Sequence, residues 1–244
     1  MRIRTGRRLA TVASLRPVLR RHIDSDPATR PVVVAGVTLG VVVGVFGVVF
    51  GVGAVSAGGT VLQACAMSLL VFTGASQFTA VSVVDGGGST GSALSGAMLL
   101  AARNGIYGLT MSKHLPGSIG RRLVAAQLTI DESTAMATAQ DTPEHRRTAF
   151  WVTGGSVYVF WNLGTLVGAL AGSAIDPMTY GLDAAFPAGF VAMVAPQFRT
   201  QNGRRAGLLG AVICLVTIPI VPVGLSILCA GAAIAIGAIP ERPR

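Results

Sequence analysis

Two long runs of the sequence contain no charged residue and no histidine, and they constrain the fold more than any other feature. The first lies between Arg30 and Asp85, and the second extends from Ala206 to Pro240. A membrane-spanning helix needs about 20 consecutive apolar residues, so the first run alone exceeds two helix lengths. Only 12% of all residues are charged, against about 25% in ordinary soluble domains. We therefore predict an all-α, polytopic membrane protein.

Other classes of protein fit this pattern poorly. The strands of a membrane β-barrel alternate polar and apolar residues over about ten positions, and the apolar runs here do not alternate. The net charge of +9 raises the question of nucleic acid, but the basic residues are concentrated in residues 1–30 and in short loops. Such a layout orients a membrane protein. We expect a lipid bilayer as the environment and no nucleic acid as a partner.

Eight apolar segments are recognisable between glycine-rich, proline-containing or charged connections. They cover roughly 33–54, 60–84, 90–112, 123–140, 149–172, 182–198, 206–221 and 223–239. Pro219 and Pro222 separate the last two, because proline removes a backbone donor and breaks a helix. The chain thus divides into a basic cytoplasmic tail (1–30), a transmembrane permease domain (31–239) and a short cytoplasmic tail (240–244). The Arg-rich, acid-poor start is also compatible with an organelle transit peptide.

The charges of the connections indicate which segments cross the membrane, since Lys and Arg stay in the cytoplasm. Basic residues occur at both termini and in 113–122, 141–148 and 199–205, but not in 55–59, 85–89 or 173–181. Eight crossings would place loop 113–122 outside and Asp85 inside. Six full crossings, with 60–84 and 123–140 broken or re-entrant, would place every basic loop in the cytoplasm. We favour the second arrangement and keep eight crossings as the alternative.

Both of these segments carry polar residues near their middle. The stretch FTGASQF at 72–78 includes Ser76 and Gln77, and segment 123–140 contains adjacent Asp131 and Glu132. Irregular backbone at membrane depth is tolerated only where it is buried in protein or lines a cavity. Two broken segments that enter from opposite faces are typical of a solute pathway.

Arg103 is the least expected residue inside an apolar segment. A charge at the bilayer centre costs about 2.5–3.5 kcal/mol on insertion scales. The side chain could extend to the interface, or it could face a polar cavity and bind a carboxylate through its planar guanidinium. Asn104 and Tyr107 would then add hydrogen bonds, and Tyr107 shares a helix face with Arg103.

Four further residues complete the predicted site. Asp131 and Glu132 would bind an ammonium group or carry a proton, unless residues 129–133 are a solvent-exposed helix start. Ser76 and Gln77 lie at a helix break whose free N–H groups would attract an anion. The alternative is that they are packed between helices.

No enzyme motif fits the chain. The stretch GGSTG at 87–91 matches the nucleophile pattern G-x-S-x-G, but it lies in a turn between apolar segments. Three scattered histidines and three cysteines within apolar runs (Cys65, Cys214, Cys229) show no metal-binding spacing. We therefore expect no catalysis, no cofactor and no bound metal.

Glycines recur at about four-residue spacing in two of the apolar segments, within 36–51 and within 164–172. Such faces allow close approach of helices, either inside the chain or to a second subunit.

With these residues in hand, the chain resembles the AzlC family, the large subunit of two-component branched-chain amino-acid exporters. The matching stretches are GASQFTAV at 74–81, ARNGIYGLTMSKHL at 102–115, QLTIDESTAMATAQ at 127–140 and FWNLGTLVGAL at 160–170. Their order and spacing agree over about 31–239. Many relatives carry histidine after the arginine, where this chain has Asn104, so a proton switch on that imidazole is not expected here.

The resemblance implies a multi-pass permease of the bacterial inner membrane that exports valine, leucine, isoleucine or methionine with a small hydrophobic AzlD-type subunit. The residues themselves suggest secondary, proton-coupled transport. Arg103 would bind the substrate carboxylate, helped by Ser76, Gln77, Asn104 and Tyr107, while Asp131 or Glu132 would hold the ammonium group or a proton. A passive channel for a small polar solute and a non-transporting membrane scaffold are the alternatives.

Overall fold

The computed structural model describes residues 29–174, 188, 191, 195–222 and 224–233, and within these ranges the chain is helical without any β-strand. The α-helices are α1 (Thr29–Ser56), α2 (Val61–Leu70), α3 (Ala75–Asp85), α4 (Thr90–Ser112), α5 (Ile119–Gln127), α6 (Asp131–Thr138), α7 (Pro143–Ala174), α8 (Gln201–Thr217) and α9 (Leu225–Ala230). Short 3-10 turns occur at Ala195–Arg199 and Gly231–Ala233. The basic tail up to residue 28, most of the predicted segment 182–198 and residues 234–244 lie outside the described residues.

Helices α1 and α7 are long and apolar enough to cross a bilayer. They contain 28 and 32 residues, and their most apolar windows have mean hydropathies of 2.7 and 1.3. At 1.5 Å per residue they are about 42 Å and 48 Å long, more than a hydrocarbon core of about 30 Å requires. Valines such as Val34, Val41 and Val45 are exposed on the outer face of α1. An apolar surface of this kind suits lipid rather than water.

The two long helices run parallel and in direct backbone contact. A Cβ built on Gly36 would meet Thr153, and one built on Gly44 would lie 2.8 Å from Cβ of Phe160. Further along, a Cβ on Gly164 would collide with the carbonyl oxygen of Gly44. The contacts advance in the same direction along both chains, so α1 and α7 begin at one end of the molecule, the near end, and finish at the other, the far end.

Both glycine repeats predicted from the sequence therefore face each other inside the chain. The hydroxyl of Ser156 donates to the Gly36 carbonyl at 2.8 Å, which adds a polar contact between the two helices. The interpretation of these glycines as internal packing is confirmed, because their Cβ positions are occupied by the partner helix.

The helix break predicted within 60–84 is confirmed at residues 71–74. Helix α2 ends at Leu70, and α3 begins at Ala75 after Gly74, whose φ of 58° favours glycine. Before the break, Ser68 lies level with Thr165 of α7, and their hydroxyls are 3.0 Å apart. At the break, Phe72 packs on Tyr158, which is nearer the start of α7, so the segment runs from the far end toward the middle of that helix.

Beyond the break, the chain turns back toward the far end. The ring of Phe78 lies 5.8 Å from that of Phe50 and 6.0 Å from that of Trp161, in the far halves of α1 and α7. Segment 60–84 therefore descends from the far end to the middle and returns.

Segment 123–140 is broken in the same way, between α5 and α6. Its preceding loop and its final residues both lie at the near end, beside the start of α7. Arg147 Nε donates to the His114 carbonyl at 3.2 Å, and Arg146 Nη2 donates to the Gln140 carbonyl at 2.9 Å. The middle of the segment reaches deeper, where Leu128 packs against Gly154. This segment therefore enters from the near end and returns to it.

Side chains satisfy the backbone groups that the two breaks expose. The Leu69 carbonyl, at the end of α2, accepts hydrogen bonds from Gln127 Nε2 at 2.9 Å and from the Tyr158 hydroxyl at 3.2 Å. Gly74 N–H donates to Gln77, and Ile130 N–H donates to Ser133. Because Gln127 lies at the end of α5, it ties one broken segment to the other.

The last described helices form the predicted hairpin. Helix α8 ends at Thr217, just before Pro219, and α9 begins at Leu225 after Gly224 in the left-handed region. Helix α9 packs on the far half of α4, where Ile227 contacts Gly96. The three cysteines are free thiols.

Replacing Gly164 by valine tests the contact between α1 and α7. The new side chain would meet the backbone of α1 at Gly44, which cannot move aside like the end of a side chain. We expect a loss of about 1–3 kcal/mol or more in the free energy of unfolding, seen as a lower midpoint of thermal unfolding in detergent.

Gly155→Val on the same helix is the matched control, because a Cβ there has open space within 4 Å. Its free energy of unfolding should stay within about 0.5 kcal/mol of the wild-type value, so its midpoint should change little. Equal midpoints for the two variants would contradict the described packing.

Candidate functional site

A cavity of about 300 Å³ lies where the two broken segments meet. Its wall includes the break between α2 and α3 (72–75), the start of α6 (130–132) and Arg103 from α4. Helix α1 contributes an apolar surface, and α7 contributes Val157 and Trp161. The volume is at the lower end of the roughly 300–1,000 Å³ that small-molecule sites occupy.

An ion pair between Arg103 and Asp131 dominates this cavity. Arg103 lies near the middle of α4, and its Nη1 is 2.8 Å from Oδ2 of Asp131, the first residue of α6. Each side chain is 38% exposed. The guanidinium therefore lies beside a carboxylate in the cavity and does not extend to the end of its own helix, α4. This pairing offsets part of the cost of holding the charge at membrane depth.

Tyr107 lies one turn further along α4, on the helix face of Arg103. Its hydroxyl faces the Asp131 carboxylate. The shared face follows from the four-residue spacing, as predicted.

Glu132 lines the same cavity but differs from Asp131 in its surroundings. Its side chain is half-buried. Among the described residues it has no ion-pair partner within 4.0 Å, whereas Asp131 is paired with Arg103. Consecutive residues of a helix point about 100° apart, so neighbouring carboxylates can have different partners.

Several buried polar atoms of the cavity wall have no hydrogen-bond partner within the described parts of the chain. They are Thr73 Oγ1, Arg103 Nε, Asp131 Oδ1 and Trp161 Nε1. Buried polar groups in native proteins are nearly always paired. The cavity wall is therefore a place where hydrogen bonding within the described chain is incomplete.

Two helix starts also face the cavity. Ala75 begins α3 and Asp131 begins α6, and both residues line the wall. A helix start carries roughly half a positive elementary charge and free N–H groups, so it favours anions. The first turn of α6 already holds two carboxylates, whereas that of α3 has no acidic residue. The cavity therefore offers a cationic side, formed by Arg103 and the start of α3, and an anionic side.

The structure brings together some of the predicted site residues and leaves others apart. Arg103, Asp131 and Glu132 line the cavity, with Tyr107 beside them. Ser76, Gln77 and Asn104 are not among the described residues of its wall. Ser76 and Gln77 are fully buried, and the Gln77 carboxamide oxygen accepts the Gly74 N–H at 3.2 Å. Asn104 is half-buried.

Thr73 and Trp161 are wall residues that the sequence reasoning missed. Thr73 lies within the same predicted break as Ser76, so the break itself was the available signal. Trp161 belongs to the FWNLG stretch, in which an aromatic residue inside an apolar helix gave no sign of facing a cavity. Within the described ranges, no group of three or more metal-binding side chains is found.

Comparison with known proteins gives one family match. The model of the family described as "AzlC protein" matches residues 38–175, a range that contains every described residue of the cavity wall. No solved structure matches this chain.

Two relatives are similar over a comparable part of the chain. An uncharacterized membrane protein of Helicobacter pylori (strain ATCC 700392 / 26695) is 29% identical over 154 residues, which cover 61% of this chain and 68% of the relative. An uncharacterized membrane protein of Haemophilus influenzae (strain ATCC 51907 / DSM 11121 / KW20 / Rd) is 26% identical over 158 residues, covering 64% of this chain and 65% of the relative.

A double-mutant cycle tests the ion pair. Arg103→Met and Asp131→Asn should each lower the free energy of unfolding, because each leaves the other residue without its partner. The double variant should recover part of the loss. We expect a coupling energy toward the lower part of the 0.5–3 kcal/mol range, since both side chains are partly exposed.

The measurement is thermal or denaturant unfolding of the four proteins in one detergent. Asp85→Asn is the control, because Asp85 is exposed at the end of α3 and lies outside the described cavity wall. Additive effects of the two substitutions would exclude a stabilising pair.

Proposed function

Because the chain belongs to the AzlC family, whose model spans more than half of it, we propose that it is the permease subunit of a secondary, proton-coupled exporter of branched-chain and other apolar amino acids. The observation that carries this proposal is the cavity between the two broken segments. It combines a guanidinium, two carboxylates and an apolar wall at the middle of the helices.

The distribution of charge in the cavity suits a zwitterion. The substrate carboxylate would bind the Arg103 guanidinium, whose side chain remains 38% exposed beside Asp131, and would face the start of α3. The ammonium group would face the carboxylates at the start of α6. Arginine offers several donors in one plane, so it can hold Asp131 and a second carboxylate together.

The remaining wall suits an aliphatic side chain. Helix α1 contributes four apolar residues, and large apolar side chains from the break after α2 and from α7 add three more. They are Leu39, Val42, Val43 and Phe46 from α1, with Phe72, Val157 and Trp161. Burying a leucine- or valine-sized side chain against such a surface is worth about 1.5–3 kcal/mol. A small polar solute would gain nothing from this wall.

We further propose six full crossings and two re-entrant segments, with the near end in the cytoplasm of a bacterial cell and both termini on that side. The hydrogen bonds of Arg147 to His114 and of Arg146 to Gln140 support this arrangement, because they hold loops 113–118 and 139–142 at one end. Lys113 in the first loop, and Arg146 and Arg147 at the start of α7, match the cytoplasmic side. Eight crossings would separate His114 and Arg147 across the membrane.

A small hydrophobic AzlD-type subunit is the proposed partner. Helix α4 supports this idea through an exposed apolar surface that includes Met98, Ile106 and Leu109. Gly105 has open space where a Cβ would stand, so a second helix could approach α4 closely.

Substitution of Arg103 tests the proposed function. Arg103→Ala removes the charge, and Arg103→Lys keeps the charge but loses the planar guanidinium that can bind two carboxylates. We expect each variant, expressed at wild-type level with the partner subunit, to export valine and leucine at least about tenfold more slowly, equivalent to about 1.4 kcal/mol. The measurement is efflux from preloaded cells.

Arg122→Ala is the control, because Arg122 is an exposed basic residue of α5 outside the described wall of the cavity. Wild-type efflux from both Arg103 variants would exclude Arg103 as the carboxylate site. Flux that neither saturates nor responds to a proton gradient would favour a passive channel instead.

Labelling of single cysteines tests the proposed topology. In a chain without its three native cysteines, Ser118→Cys should react with a membrane-impermeant maleimide only after the cells are opened. Gly86→Cys, at the exposed end of α3, should react in intact cells. Eight crossings require the opposite result at both positions.

A further inference from the structure

The two carboxylates of the cavity have different partners, and this difference assigns them different roles. We propose, on the basis of the proposed function, that Glu132 is a site shared by a proton and the substrate's ammonium group. In the absence of substrate, Glu132 carries the proton. The arriving amino acid displaces it, while Asp131 remains bound to Arg103 and positions the guanidinium.

Asp131 is a positioning residue because its negative charge is already neutralised. Its Oδ2 is 2.8 Å from Arg103 Nη1. This contact gives the Asp131 carboxylate a cationic partner inside the cavity. It also fixes the guanidinium, whose side chain stays 38% exposed beside Asp131. A substrate carboxylate can therefore bind Arg103 without displacing Asp131.

Glu132 has no such partner. It shares the cavity wall with Arg103 from α4, which is engaged by Asp131, and with Asp131 from its own helix. Tyr107, one turn further along α4, lies beside them. The described wall residues of α1 and α7 carry no titratable group. The start of α6 provides only about half an elementary charge for both carboxylates. At this depth, an unpaired carboxylate is more stable with a proton.

Binding of the amino acid reverses this preference. Its ammonium group supplies the cationic neighbour that Glu132 lacks, and an opposite charge within about 4–6 Å favours the ionised carboxylate. The Glu132 carboxyl group then loses one proton to water and forms an ion pair with the ammonium group, which keeps its own protons. One proton is released for each amino acid bound.

The exchange has a direction that suits export. A proton and an amino acid exclude each other at Glu132. After the protein has released its substrate outside, it therefore returns to face the cytoplasm with a proton on Glu132. Inward movement of protons is thereby linked to outward movement of amino acids. The same site also selects ligands with an ammonium group over carboxylic acids of similar shape.

Proton release on binding tests this proposal. The full-length chain, purified with any subunit that accompanies it, is titrated in weak buffer with a pH-sensitive dye. The ligands are leucine and 4-methylpentanoate, which has the same carbon skeleton without the ammonium group. For the wild type we expect about one proton released per leucine bound, none for 4-methylpentanoate, and at least tenfold tighter binding of leucine.

Glu132→Gln should abolish the proton release and bind the two ligands with affinities within about threefold. Glu132→Asp keeps a carboxylate and should keep the release, which separates the role of the proton from a folding defect. Asp131→Asn should keep the release but weaken both ligands equally, and Asp131→Glu should restore part of that affinity. Asp85→Asn, outside the described cavity wall, should behave as the wild type.

Two results would overturn the inference while leaving the proposed function intact. One is leucine binding by the wild type without proton release, and the other is unchanged release by Glu132→Gln. Failure of the wild type to bind leucine at all would overturn both proposals together.

Discussion

Every backbone N–H and C=O group at membrane depth needs a partner inside the protein, and the fold of this chain depends on how it meets that requirement. Breaking two helices frees several such groups. The Leu69 carbonyl is bonded by Gln127 and Tyr158, and the N–H groups of Gly74 and Ile130 are bonded by side chains three residues later. These bonds allow two segments to end their helices at the same depth. The polar cavity exists because both breaks are satisfied there.

The wall opposite the breaks depends on a different constraint, the absence of side chains between α1 and α7. Gly44 and Gly164 let the two backbones touch, so the apolar face of α1 and the aromatic residues of α7 lie side by side. Trp161 then stacks on Phe50 with ring centroids 6.2 Å apart and lines the cavity at the same time. The aliphatic part of the proposed site therefore belongs to the rigid pair of long helices, whereas its charged part belongs to α4 and the broken segments.

The sequence predicts the polar half of this arrangement better than the apolar half. Ionisable groups inside apolar segments are costly, so Arg103, Asp131 and Glu132 were predicted to belong to one site, and the structure adds that Asp131 is paired with Arg103. The breaks were visible as polar or glycine-containing stretches. The sequence could not tell which neighbour faces the cavity, because Asn104 lies about 100° around the helix from Arg103. Nor could it identify Trp161, since an apolar residue in an apolar helix carries no signal of its direction.

Ion pairing gives two adjacent carboxylates unequal chemistry. Asp131 and Glu132 share one helix start and one cavity, yet only Asp131 contacts Arg103 among the described residues. Asn104 next to Arg103 cannot titrate, and the described wall contains no histidine. Among the described wall residues, these two carboxyl groups are therefore the candidates to exchange a proton. Because Asp131 is paired with Arg103, we propose that Glu132 is the one that responds to the charge of whatever enters the cavity. In that proposal a single guanidinium both binds an anion and gives the two neighbouring acids different partners.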